Sequence, residues 1–183
     1  YEHSNLPLRT IEAEVDTWPF DRRIEVLEAY LGERPDQRLR PGRALEKAHY
    51  SWDLVCDYGI FRELQRHRCV DDLEWQHLTP RYGYNMPALI EEANLEEQFE
   101  ECFGLSLELY DIMQQTGYAL ESQYATLQGH RLRWKVTFNA REAFHIYEQS
   151  TRPQVHPDYQ QFVAQMHAKL AEAHPILAEA IRD

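Results

Sequence analysis

Glycine, cysteine and positive charge are all scarce in this sequence, and long apolar runs are missing. Only 7 of its 183 residues are Gly and 9 are Pro, which excludes collagen-like and low-complexity chains. No apolar run approaches the ~18 residues of a membrane span, so no transmembrane helix and no membrane partner are expected. The opening stretch YEHSNLPLRTIEAEV lacks the basic start and apolar segment of a secretory signal. It also lacks an initiator Met, so a processed, trimmed or partial chain is expected. Three cysteines (Cys56, Cys69, Cys102) are too few and too scattered for a disulfide framework, and there is no CxxC. A sparse, odd count suits a reducing compartment, and a cytoplasmic location is expected. With 19 Lys+Arg against 31 Asp+Glu the net charge is −12. That disfavours a nucleic-acid polymer as partner, because such binding rests on a basic surface. A small phosphorylated ligand needs only a local basic pocket and stays possible. GxSxG, HExxH and a glycine-rich phosphate loop are absent, so a nucleophile elbow, a zincin helix and a P-loop or Rossmann fold are not expected. His67, Glu74 and His77 have no metal-ligand spacing, and no metal is expected.

What is there reads as one soluble domain with 43% hydrophobic residues, long enough to bury a core. Apolar residues alternate with polar ones over Tyr50–Tyr58 and again over Leu132–Phe138, the period of strands with one wet face. Period 3.6 predicts one long helix on the stripe Leu95, Phe99, Cys102, Leu105, Leu109, Ile112. A second lies on Tyr159, Phe162, Val163, Met166, Leu170 and ends near His174 and Pro175. Residues 17–31 read as a short helix with Thr17 as cap and Pro19 in its first turn. Residues 32–42 read as a Pro/Gly-punctuated connection, and 139–150 as a helix capped by Asn139. The fold class is α+β, an antiparallel sheet packed with long helices.

Two clusters carry chemistry. Residues 62–68 read Arg-Glu-Leu-Gln-Arg-His-Arg, three arginines and a histidine within seven residues of an acidic chain. Guanidinium forks bind phosphate oxygens bidentately; the competing reading is a solvated basic face paired with carboxylates. Asn139-Ala140-Arg141 opens a helix, with His145 one turn on. A helix N-terminus beside an arginine suits an anion, against an ordinary N-cap with a surface ion pair.

In order, His49 opens a strand, Arg66-His67-Arg68 closes a helix, an acidic and amide segment runs to Gln76, Arg81-Tyr82 follows, and a strand leads into Asn139-Ala140-Arg141. This order resembles the flavin-dependent thymidylate synthases over roughly residues 45–183. The resemblance implies an N-terminal extension, 1–44, with a short helix, and a synthase-like domain, 45–183, that assembles as a homotetramer or pairs with a second homologous domain. It implies FAD reduced by NADPH, and methylene transfer from methylenetetrahydrofolate to deoxyuridine monophosphate or a related nucleotide. No cysteine nucleophile is used, and no catalytic residue is assigned. FAD would be contacted by Arg66, His67, Arg68, Glu74, Asn139, Arg141 and His145, the last commonly Asn in the family. Nucleotide contacts fall on Arg62, Glu63, Gln76, Arg81, Gln123, Ser150 and Arg152. Gln76 stands where the signature has Ser, Arg81-Tyr82 comes three residues late, and Gln123 and Ser150 stand where arginines are expected, with Arg152 a nearby substitute. The flavin half of the signature is better kept than the substrate half. The alternatives are a non-catalytic half or subunit of such an assembly, and an unrelated helical interaction module.

Overall fold

The computed structural model describes residue 1 and residues 3–181. Its centre is a three-stranded antiparallel sheet of β1 (His49–Asp57), β2 (Val70–Trp75) and β3 (Arg131–Asn139), in the order β1-β3-β2. β3 takes the middle because its alternate residues Leu132, Trp134, Val136 and Phe138 are all buried, while Arg133 and Lys135 between them face outward. β1 runs the full length of β3, from His49 opposite Asn139 to Asp57 opposite Arg131. β2 pairs from Val70 opposite Phe138 to Trp75 opposite Trp134, with a bulge between Val70 and Asp72. The alternation of Tyr50–Tyr58 stops one residue early. The Asp57 side chain accepts from the Ile60 N–H at 2.8 Å and caps a helix, α3 (Tyr58–Leu64). β2 has no clean alternation and lies in the acidic and amide segment that runs to Gln76.

The apolar sheet face packs on α3, α6 (Ala140–Ser150) and α7 (Pro157–Ala173). Asn139 caps α6 as expected, accepting from the Glu142 N–H at 2.9 Å. Two helices precede the sheet, α1 (Leu8–Asp16) and α2 (Phe20–Leu31). The helix expected over 17–31 therefore starts later. Pro19 sits in extended backbone at the N-cap position, and its ring disfavours helical geometry for Trp18 before it. Thr17 closes α1 instead, donating its hydroxyl to the Glu14 carbonyl.

Between β2 and β3 lie α4 (Ala88–Glu92) and α5 (Glu96–Gln115); α8 (Pro175–Glu179) ends the described fold. The stripe expected to bury α5 does not do so. Leu95, Leu105, Leu109 and Ile112 are exposed, and only Phe103 and Ser106 are buried. The α5 side that packs is a different one. Phe103 meets Tyr84 and His130, and Ser106 donates to the Ala125 carbonyl.

Residues 31–45 are built onto the body of the domain. Leu31 and Leu45 share a core with Ala140, Phe144 and Leu177. Gly32, with φ +60°, turns the chain out of α2, a conformation that favours glycine. A Cβ at Gly42 would fall 2.1 Å from the Tyr30 hydroxyl, which in turn accepts from the Ala44 N–H. Arg34 and Glu148 form a buried ion pair at 2.7 Å. Arg34 also donates to the carbonyls of Leu39 and Ala180 and lies over the Phe144 ring. The connection 33–42 is therefore fixed against α6.

Candidate functional site

A cavity of about 1340 Å³ opens between the turn after α3, the outer side of α6 and the 35–41 connection. It exceeds the ~300–1,000 Å³ of a typical small-molecule pocket. Six arginines line it: Arg38, Arg40, Arg66, Arg68, Arg141 and Arg152. Two of them are engaged. Arg66 pairs with Glu63 at 3.1 Å. Arg141 pairs with Glu46 at 2.9 Å and donates to the Pro41 carbonyl. The Glu46 carboxyl is held below its ordinary range, first by its hydrogen bond from Arg43. Among the described residues, the guanidinium groups of Arg38, Arg40, Arg68 and Arg152 have no carboxylate within salt-bridge distance. Four such cations stand around one cavity, alongside the carboxylates of Asp36, Glu63, Glu142 and Glu148, in a chain of net charge −12.

The cavity also holds His67, Cys69, Glu142 and His145. His67 Nδ1 lies 3.2 Å from Glu142 Oε1, with both side chains largely buried. The His145 ring meets His67 edge to face at 5.7 Å between centroids. Its pKa is lowered, first by desolvation. The Cys69 thiol is pushed up, chiefly by the Glu142 charge.

The structure thus brings together Glu63, Arg66, His67, Arg68, Arg141, His145 and Arg152 of the residues that sequence reasoning selected. Asn139 stands at the head of α6 with its oxygen used as a cap. Arg62 is exposed on α3, outside the cavity lining. Arg38, Arg40 and Glu142 were missed. The Arg-Leu-Arg of residues 38–40 was the signal available, but it sat in a stretch read as a plain connection.

The other selected residues lie elsewhere. Glu74 is on the wet face of the sheet, 3.2 Å from Lys135. Gln76 accepts from the Tyr82 hydroxyl at 2.7 Å, and its N–H bonds the Arg133 carbonyl. Arg81 pairs with Asp111 at 2.5 Å. Gln123 accepts from the Leu78 N–H and donates to the Leu120 carbonyl. Ser150 is buried, and its hydroxyl donates to the Tyr147 carbonyl within α6.

The fold has solved relatives. It matches a UMP/dUMP methylase, PolB from Streptomyces cacaoi, bound with 5-Br dUMP, at TM-score 0.68, with 14% identity, over 92% of this chain and 86% of that one. The same enzyme bound with 5-Br UMP matches at TM-score 0.64 and 17% identity, over 76% and 74% of the two chains. Among curated proteins, a UPF0159 protein of Chlamydia pneumoniae is 27% identical over 176 residues, 96% of this chain and 33% of the relative. A UPF0159 protein of Thermoplasma acidophilum is 30% identical over 158 residues, 86% of this chain and 32% of the relative. The chain thus spans about a third of the length of these curated relatives. The family model described as thymidylate synthase complementing protein matches residues 30–176, which takes in the whole cavity, and the chain belongs to that family.

Proposed function

We propose that this chain is the FAD-binding part of a thymidylate synthase-like nucleotide methylase. The substrate would be deoxyuridine monophosphate or a related nucleotide, and methylenetetrahydrofolate and NADPH would supply the methylene group and the reducing equivalents. The observation that carries this reading is the cavity lined by four arginines that, among the described residues, have no carboxylate within salt-bridge distance. A dinucleotide cofactor presents a diphosphate of matching charge, and the cavity exceeds the size of a typical small-molecule pocket. Arg68 and Arg152 would hold the diphosphate oxygens by charge-assisted hydrogen bonds. Arg40 would close over them from the 35–41 connection, and the head of α6 adds its positive dipole end. Bound FAD would supply the redox chemistry of the reductive methylation. Burial pushes the Cys56 thiol up to about 12, so Cys56 remains a thiol and serves packing.

Of the residues assigned to the nucleotide, Glu63 and Arg152 line this cavity, whereas Gln76, Arg81 and Gln123 belong to the other end of β3. Asn139 and Arg133 are six residues apart on β3, roughly 20 Å at the strand rise, and Gln76 hangs from Arg133. A site using both ends needs a second copy of the chain or a second homologous domain. The exposed apolar residues Leu105, Leu109 and Ile112 on α5 support such an assembly, a closed homo-oligomer.

A second reading, the non-catalytic half of a shared assembly, draws on Gln123 and Ser150. Both are committed to backbone groups where the resemblance expects arginines that grip and polarise the nucleotide. The experiment is the visible spectrum and mass of whatever co-purifies with the chain, then a product assay with deoxyuridine monophosphate, methylenetetrahydrofolate and NADPH. Retained flavin with turnover supports the enzyme. Retained flavin without turnover supports the non-catalytic half. A colourless chain that binds no added FAD removes both.

A further inference from the structure

We propose that His67, Glu142 and His145 form a site for a divalent transition-metal ion of the zinc class. One ligand atom from each lies within 4.8 Å of the other two. His67 Nδ1 and Glu142 Oε1 are already 3.2 Å apart. Two ligands about 2.1 Å from a tetrahedral metal stand about 3.4 Å from each other, so this pair is at coordinating separation. His145 closes the remaining gap by turning an exposed side chain.

The backbone accounts for the convergence. Glu142 and His145 are three residues apart on α6 and share one face of its first turns. His67 sits in the turn between α3 and β2 and meets them across the cavity. Glu142 is buried, and a buried carboxylate calls for a charged partner or a metal. Two imidazoles and one carboxylate suit zinc, cobalt or nickel; calcium and magnesium take oxygen ligands. Three protein ligands leave one tetrahedral position open, as in catalytic rather than structural zinc sites.

Two neighbouring features fit an ion here. Arg66 and Arg141, the arginines next to these ligands in sequence, are turned to Glu63 and Glu46. Cys69, two residues from His67, lines the same cavity, so a further soft donor adjoins the site. The remaining arginines of the cavity oppose a bare cation, and affinity will fall short of a closed structural site.

The inference does not rest on the flavin reading, and its test uses metal alone. The purified chain is titrated with Zn²⁺ against a chromophoric chelator, and with Co²⁺ followed in the visible. The expected result is one saturable equivalent per chain and cobalt bands of four or five coordination. Replacing an outer-shell partner of a metal ligand costs roughly 10–100-fold in affinity, so His145→Asn, which removes a direct ligand from an exposed position, should cost at least about 100-fold. Glu142→Gln should match it, and His145→Asn keeps the test decisive if Glu142→Gln fails to fold. Unchanged zinc affinity in His145→Asn, no saturable binding, or a loss confined to Cys69→Ser would overturn the site.

Discussion

The two ends of β3 carry polar clusters of opposite construction. At the Asn139 end, charges gather around a cavity, and among the described residues several of its arginines have no carboxylate within salt-bridge distance. At the Arg131 end, polar side chains pair with one another: Arg133 with Asp53, Gln76 with Tyr82, Arg81 with Asp111, Gln123 with the backbone at Leu78. The first end has electrostatic capacity left for a ligand. The second uses its polar groups on itself. Exposed ion pairs of that kind contribute little to stability, but each one removes a cation from ligand binding. Unmet charge marks the better candidate site.

The largest expected effect breaks the first end. Arg68→Ala with Arg152→Ala removes two charge-assisted contacts worth about 1.5–3 kcal/mol each, so retention of FAD should fall by roughly two to four orders of magnitude. Calorimetric titration checks this, with Arg81→Ala at the other end expected to leave affinity within about twofold.

Next in size is the fixing of the 33–42 connection. Arg34→Met breaks the buried ion pair with Glu148, and losing one member of a buried pair costs about 3–5 kcal/mol. A urea melt should show that loss, and weaker FAD retention should accompany it as the connection loosens. A melt unchanged within error would mean the buried pair does not hold the cavity wall.

A smaller effect is expected at the second end. Gln123→Ala leaves the Leu78 N–H without its acceptor, at about 1–3 kcal/mol if no water replaces it. Flavin retention should not change, which separates a structural amide from a ligand contact.

The smallest is a pH effect at His130. Its Nδ1 accepts from the Leu127 N–H, and burial holds its pKa below the ordinary 6.5. The folded state therefore favours the neutral ring. The stability this gives is complete above pH 6.5 and is lost as pH falls toward the lowered folded value. Urea melts between pH 7 and 5 should show a shallow decline that His130→Asn flattens.

Much of the fold was legible because period and burial agree along β1, β3, α6 and α7. Trp134 and Phe138 alternate inward on β3, and Tyr159, Val163, Met166 and Leu170 recur at helical spacing and are buried. The reading failed where a pattern has no partner in the chain. The Leu105, Leu109, Ile112 stripe is amphipathic in sequence, but nothing among the described residues covers it. β2 escaped because a bulge and acidic residues break its alternation. The candidate site was half legible. Arg66, His67, Arg68, Arg141 and His145 are local triplets and turns that sequence displays. Arg38, Arg40 and Glu142 join them only through tertiary folding, by the Arg34–Glu148 anchor and the capped start of α6.

The claim that matters most is that the arginine-lined cavity holds FAD. Equilibrium titration of the purified chain with FAD, read by flavin fluorescence alongside the spectrum of the protein as isolated, tests it directly. The account predicts saturable binding near one FAD per chain, abolished by Arg68→Ala with Arg152→Ala and untouched by Arg81→Ala. No saturable binding, or binding that survives the double substitution, would contradict it.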